Sequence, residues 1–201
     1  MTAYRLALPH PWEHIPLGDG TQDRVAEIVQ GAMDRIPDDV PPDQVAQTRI
    51  RLEGMLLAEL KEAQENGAID YYVPTDTMHG VTINASFVVS AVIPDAAVED
   101  GATGAVLASL LKDGDSRPVT VADTVWVRTE GVMKRPADDV VGEDVSARKV
   151  DYVTAVPSEQ RRWIIVSFTT VGDGDPESEF TALMVELFDA IMSTWRWQED
   201  E

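Results

Sequence analysis

The chain has 201 residues, 44% of them hydrophobic, and a formal charge of −20 from 16 basic and 36 acidic side chains. That hydrophobic share is enough for a core and argues against a disordered chain, while the acidity excludes nucleic-acid backbones and anionic membrane surfaces as partners, since both need Lys and Arg. The absence of cysteine removes disulfides, thiol catalysis and Cys-type zinc sites together.

Lys occurs only at positions 61, 112, 134 and 149, so most of the positive charge is Arg. With abundant Ala, Val and Asp, this matches a high-GC genome of the actinobacterial kind; a halophilic host is the rival account of the acidity. The segment "MTAYRLALPHPW" has no charged stretch followed by an apolar run of signal-peptide length. No window approaches the apolar length of a membrane span. The expectation is a cytoplasmic protein without membrane insertion.

In chain order, "YRLAL" (4–8) alternates and reads as a short strand stopped by Pro9 and Pro11, which cannot donate to a ladder. "LGDGTQD" is a turn with Asp19 or Thr21 as helix cap. Val25, Ile28, Val29, Ala32, Met33 and Ile36 then recur at helical spacing. "PDDVPP" ends that helix and starts a longer one that runs to Gly67, placed as a C-terminal cap. "IDYYVPT" and "GVTINASFVVSAVI" predict a hairpin. In the second segment Val81, Ile83, Ala85, Phe87, Val89, Ala91 and Ile93 hold every other position, the strongest strand pattern in the chain. Residues 96–114 read as a helix with Val106, Leu107, Leu110 and Leu111 on one face.

Three strands are expected next: 118–134 with alternating valines, 145–157 ending at Pro157, and "RRWIIVSFTTV" (161–171). The last is apolar on both faces, as a central strand covered on both sides would be. The loop 135–144 is expected to be the most mobile connection. Phe180, Leu183, Met184, Leu187, Phe188, Ile191, Met192 and Trp195 define an amphipathic C-terminal helix over 177–197. The expected architecture is α+β: one domain over 1–201, with an antiparallel sheet of about six strands flanked by helices. A helical pair (19–67) is inserted after the first strand, and the C-terminal helix packs on the sheet.

Leu8, Pro9 and Trp12 in "LALPHPW", with Phe188, Asp189 and Ile191 in "LFDAIMSTWRW", carry a resemblance to the Mog1/PsbP-like α/β/α sandwich, and in particular to small actinobacterial proteins of that fold. The resemblance implies an accessory or binding role, linked in some members to type VII secretion, and it brings no catalytic residues with it.

Candidate chemistry is sparse. His10 and His14 in "HPWEH" have the spacing of a helical metal pair, but Pro11 lies between them. In an extended segment they stand about 13 Å apart; the expected reading is Trp12 packed over a sheet edge. Asp173, Asp175 and Glu177 open like a calcium loop, yet Ser178 and Met184 stand where Gly and Glu are needed. His79 lies in a turn near Asp76, a poor setting for nucleophile activation. Phosphate-cradling and Gly-x-Ser-x-Gly motifs are absent. Trp195, Arg196 and Trp197 are the candidate partner-binding residues. On a helix the two indoles point different ways, so one core would not bury both, and Trp and Arg are favoured in interfaces. The expected function is therefore non-enzymatic protein binding, with no cofactor and a protein as partner, the acidity favouring a basic one. The alternatives are a small-ligand binder or hydrolase with a pocket between sheet and helices, lined by Met55, Met78 or Trp126, and a structural homo-oligomer.

Overall fold

The computed structural model of the protein describes residues 3–37, 39–93, 115–135, 145–157 and 159–198. In chain order they form β1 (Ala3–Arg5), β2 (Trp12–Pro16), α1 (Thr21–Met33), α2 (Pro42–Glu65), β3 (Ala68–Pro74), β4 (Ala85–Val92), β5 (Ser116–Val121), β6 (Thr124–Arg135), β7 (Val145–Val156), β8 (Glu159–Thr170), α3 (Glu179–Ser193) and β9 (Arg196–Gln198). The helix expected over 96–114 and the loop expected at 135–144 lie outside the described residues, apart from Arg135 at the end of β6.

The fold is α+β. Seven antiparallel strands run in the order β2-β3-β4-β8-β7-β6-β5, and β1 pairs with β9 in a separate two-stranded ribbon. The apolar segment "RRWIIVSFTTV" supplies β8, which takes the middle position between β4 and β7, as its two-sided apolarity predicts. Along it Ile164, Val166 and Phe168 are buried on one face. They pair in register with Ala91, Val89 and Phe87 of β4. This face meets α3, where Phe168 stacks on Phe188 with centroids 4.6 Å apart. The opposite face, at the β2–β3–β4 end, packs Ile15, Tyr71 and Val88 against Val25 and Val29 of α1 and Leu60 of α2. Helices thus cover both faces of the sheet.

Three local differences from the sequence reading have physical causes. The segment 118–134, expected as one strand, is the β5–β6 hairpin. Its two turn residues, Ala122 and Asp123, both have positive φ (48° and 57°). A two-residue turn of that hand normally carries Asn-Gly or Asp-Gly, so the composition hid it. Asp123→Gly is expected to raise stability by about 0.5–1 kcal/mol by relieving the left-handed strain, read as a higher urea midpoint with unchanged slope.

The first strand of the large sheet is Trp12–Pro16, not 4–8. Its ladder to β3 is framed by the bonds Leu17 N–H to Ile69 O and Thr75 N–H to Pro11 O, both close to 3.0 Å. The backbone groups of Trp12, His14 and Pro16 therefore face outward, and this edge is blunted. The Trp12 N–H donates to the Pro9 carbonyl at 2.9 Å. Arg24 Nε donates to the His14 carbonyl at 3.1 Å, and the Thr21 hydroxyl donates to that of Pro16 at 2.7 Å. Pro16 itself has no N–H to offer. At the other end of the sheet, β5 carries Pro118.

The third difference is the C-terminal helix. Ser178 caps α3, its hydroxyl accepting from the Thr181 N–H at 3.1 Å, and Glu179 sits in the first turn where the dipole favours it. The helix ends at Ser193, and residues 196–198 become a strand. Gly172, in the turn before α3, has φ 53°, and a Cβ there would lie 1.9 Å from the Oγ1 of buried Thr181. Gly172→Ala is accordingly expected to destabilise by about 2–3 kcal/mol, combining backbone strain with a clash against a packed side chain. A loss below about 0.5 kcal/mol in denaturant titration would contradict that geometry.

Candidate functional site

The three tail residues separate. With 196–198 a strand rather than helix, Trp195 and Trp197 turn to the same side, their rings edge-on at 5.3 Å, which reverses the helical expectation. Trp195 is fully buried. It stacks on Tyr4 of β1 at 4.1 Å and meets Trp126 edge-on at 5.2 Å. Trp197 is half-buried; its Nε1 donates to Thr124 Oγ1 at 3.0 Å and its ring stacks on Trp126. Arg196 alone of the three is exposed. The fold accounts for Trp195 without a partner, and the surface left to the tail is Arg196 with the outer flank of Trp197.

The histidine raised by "HPWEH" enters a different constellation. Pairing of β2 with β3 sets His14 opposite Tyr72, and Asp70, two residues before Tyr72 on β3, lies on the same face by strand alternation. His14 Nε2–H donates to Asp70 Oδ1 at 2.5 Å, and the Tyr4 hydroxyl donates to Oδ2 at 2.5 Å. The Tyr4 and Tyr72 hydroxyls are 2.9 Å apart, and the His14 ring stacks on Tyr72 at 4.9 Å. Burial, with the neighbouring Tyr72 and Asp70, pushes the Tyr4 hydroxyl far above its ordinary value, and burial raises Tyr72 as well. Both phenols therefore stay protonated at neutral pH. The arrangement orients an imidazole and clasps β1 to the sheet; neither tyrosine is an activated nucleophile. A groove of about 530 Å³ runs past this edge, lined in part by Leu8, Trp12, Glu13, His14 and Arg24.

A second polar cluster lies on the α3 face. Arg128 of β6, side chain 4% exposed, grips Asp189 of α3 bidentately at 2.9 and 3.0 Å and gives Nη1 to Glu130 at 2.7 Å. Arg148 of β7 donates twice to Glu130, at 2.8 and 2.5 Å, and the Tyr152 hydroxyl donates to Asp189 at 2.7 Å. Burial alone would lower the Arg128 pKa, but the bonds to Asp189 and Glu130 outweigh it and raise it. Burial likewise works to raise Glu130, yet the bonds from Arg128 and Arg148 hold its carboxyl below the ordinary value. Two cations and two carboxylates balance each other and tie α3 to the sheet. Asp189, quoted above for the family resemblance, is the residue through which this tie passes; no local pattern points to its partner, 61 residues away.

The remaining candidates resolve into turn chemistry. In "GDGDPESE" Asp173 accepts from the Ser178 hydroxyl at 2.7 Å and Asp175 accepts from the Glu177 N–H at 2.9 Å, so these carboxylates organise the backbone. Asp76 accepts from the Thr77 N–H at 2.6 Å and lies 3.6 Å from Arg35. Among the described residues no group of three His, Asp or Glu side chains is placed to hold a metal ion, and no helix is long and apolar enough to cross a membrane. Of the expected pocket residues, Trp126 is buried in the core and Met55 is exposed on α2. A cavity of about 490 Å³ lies elsewhere, between the "LGDGT" turn and the C-terminal half of α2.

Helix α2 is the surface the sequence understated. It is 24 residues long and only Leu60 is buried; Val45, Leu56 and Leu57 are half-buried against the smaller core. Ile50 is 71% exposed and Met55 47%.

No family model matches the chain, and no curated protein does. Among solved structures it is similar to LpqN, involved in cell envelope biogenesis of Mycobacterium tuberculosis. The identity is 11%, over 99% of this chain and 85% of that one, with a TM-score of 0.45. A likeness that loose leaves the function to be argued from this chain's own residues.

Proposed function

We propose that the protein is a non-enzymatic accessory protein of the cytoplasm that binds another protein, with α2 as its principal contact face and Arg196 and the flank of Trp197 as a second contact. The observation that carries this reading is α2 itself: about 36 Å of helix with one buried residue and three large apolar side chains, Ile50, Leu52 and Met55, in solvent. Helical segments of a folded chain are normally stabilised by burying a continuous apolar face, and α2 leaves most of its surface uncommitted. The charged groups with catalytic potential, His14 with Asp70 and Arg128 with Asp189, are engaged in holding elements together. A Mog1/PsbP-like sandwich serving type VII secretion in an actinobacterium fits this role, and the acidic surface favours a basic partner by faster encounter.

The test is a photoreactive amino acid placed at 50 or 55, with 183 on exposed α3 as the control site, irradiated in the native cell. A discrete heteromeric adduct from 50 and 55 and none from 183 is expected; no adduct from α2 would overturn the reading. The second reading, a small-ligand binder or hydrolase, is favoured by the His14–Asp70 pair bordering the groove past β2. It requires that His14→Gln abolish a turnover or ligand signal while leaving the fold intact.

A further inference from the structure

Strand β1 lies outside the seven-stranded sheet and pairs with β9 alone, Ala3–Arg5 against Arg196–Gln198. Its alternation continues past its end. Tyr4, Leu6 and Leu8 turn inward against the larger core, while Arg5 and Ala7 are exposed. Beyond the strand the Ala7 N–H donates to Thr194 Oγ1 at 2.9 Å. Tyr4 is the anchor: its ring lies 5° from parallel on Trp195, and its hydroxyl reaches Asp70 and Tyr72 at 2.5 and 2.9 Å.

The slot that receives this ring is assembled without β1. His14 Nε2–H orients Asp70 from β2 at 2.5 Å. Tyr72 lies flat on Phe87 of β4, centroids 4.3 Å apart. Trp195 is fixed by its backbone N–H on the Met192 carbonyl at 3.0 Å and by the edge of Trp126 from β6. None of these supports involves β1, so the slot keeps its shape and its carboxylate when β1 lifts. The strand itself sits in the slot as a ligand would, with one planar ring, one hydroxyl on a carboxylate and two aliphatic side chains on the rim. Three paired residues and one anchoring ring place β1 among the segments that open at low cost. Lifting it also frees the backbone of β9, the strand that carries Arg196 and Trp197.

Resting on the reading of the tail as a second contact with a partner protein, we infer that β1 is a displaceable plug. The slot beneath it takes an extended segment of the partner with the pattern Tyr-x-aliphatic-x-aliphatic, paired to β9 in place of β1. Its tyrosine lies on Trp195 and donates its hydroxyl to Asp70. A phosphotyrosine is refused, because the phosphate would face the Asp70 carboxylate. A second copy's β1 has the right pattern but is the poorer occupant, because each copy brings a charge of −20.

The probe is a labelled, acetylated peptide with the sequence of Ala3–Leu8, beside versions with Phe or phosphotyrosine in place of its Tyr. Binding to the full chain is followed by fluorescence anisotropy. Tyr4→Ala withdraws the ring of the plug and is expected to bind the Tyr peptide roughly tenfold or more tighter than wild type. It should bind the Phe peptide more weakly and the phosphotyrosine peptide not at all. Adding Asp70→Asn should bring the Tyr peptide down to the level of the Phe peptide. A second protein does not depend on how Tyr4→Ala folds. Arg5→Cys with Arg196→Cys places thiols at opposed, exposed positions of a chain with no other cysteine. Oxidation pins β1 and should abolish binding of the Tyr peptide, and reduction should restore it. Equal binding by the oxidised and reduced forms, or by wild type and folded Tyr4→Ala, overturns the proposal. So does a phosphotyrosine peptide that binds as tightly as the Tyr peptide. A concentration-dependent dimer that forms reduced and not oxidised overturns the partner segment and assigns the slot to a second copy's β1. Failure of the peptides with α2 adducts still forming in the cell removes the plug alone; loss of those adducts with the peptides still binding removes the contact face on α2 and leaves the slot standing.

Discussion

Arg128→Ala is expected to cost about 3 kcal/mol of folding stability, the low end of what breaking a buried ion pair costs. Arg128 is the one nearly inaccessible cation of the network, and it joins β6 to α3 through a two-bonded fork on Asp189. Its removal leaves the Asp189 carboxylate with only the Tyr152 hydroxyl, and Glu130 with only Arg148. Both acids keep some contact with water, which is why the upper end of the range does not apply. Arg128→Lys keeps the charge and loses the fork, so it should fall between wild type and Ala. The double change Arg128→Met with Asp189→Leu removes both ends of the pair and should recover most of the loss. Urea unfolding of the four proteins checks this. A single Ala variant within 1 kcal/mol of wild type would mean that α3 is held by its apolar face alone.

The same network makes the protein acid-sensitive in a definable direction. Glu130 has a folded pKa held below its ordinary 4.5. A depressed carboxylate contributes stability that is complete above the unfolded value and is lost as pH falls through the folded one. Stability should therefore drop as pH is lowered below about 4.5, and Glu130→Gln should flatten that part of the profile while lowering stability at neutral pH.

Patterns confined to one segment were legible in the sequence. The alternation through β4 and the two-sided apolarity of β8 placed the centre of the sheet, and the spacing from Phe180 to Trp195 placed α3. What escaped was structure made by pairing across distance. Trp12–Pro16 has two prolines at its borders and reads only as Trp12 packed over a sheet edge; it is itself the edge strand because Tyr71 and Val73 lie beside it. The His14–Asp70 bond spans 56 residues and forms only once β2 pairs with β3. The Arg128–Asp189 tie spans 61. Neither distance leaves a periodic trace. Ala122–Asp123 turns without glycine, so the most reliable hairpin signal was missing. The tail escaped for a related reason: only the pairing of β9 with β1 turns Arg196–Gln198 into a strand, and with it the facing of both indoles.

That change of period gives the tail its largest testable effect. Trp195→Ala is expected to destabilise by about 3–5 kcal/mol, as for a large aromatic removed from a packed interior. Its ring has no exposed surface and touches Tyr4, Trp126 and Trp197 at 4.1, 5.2 and 5.3 Å. Through Tyr4 the loss reaches the clasp on Asp70, so β1 should loosen together with the ribbon. Trp195→Phe keeps a ring against Tyr4 and discards an indole N–H that has no partner in the interior, so it should recover a large part of the loss. Arg196→Ala, one residue on, faces solvent and should stay within about 0.5 kcal/mol of wild type. Denaturant midpoints for the three variants separate the two roles the tail can have. A core role for Trp195 predicts that steep order. An anchor role would leave Trp195→Ala nearly as stable as wild type and put its cost on partner binding instead, which a side chain with no accessible surface in the free protein cannot do without the ribbon first opening.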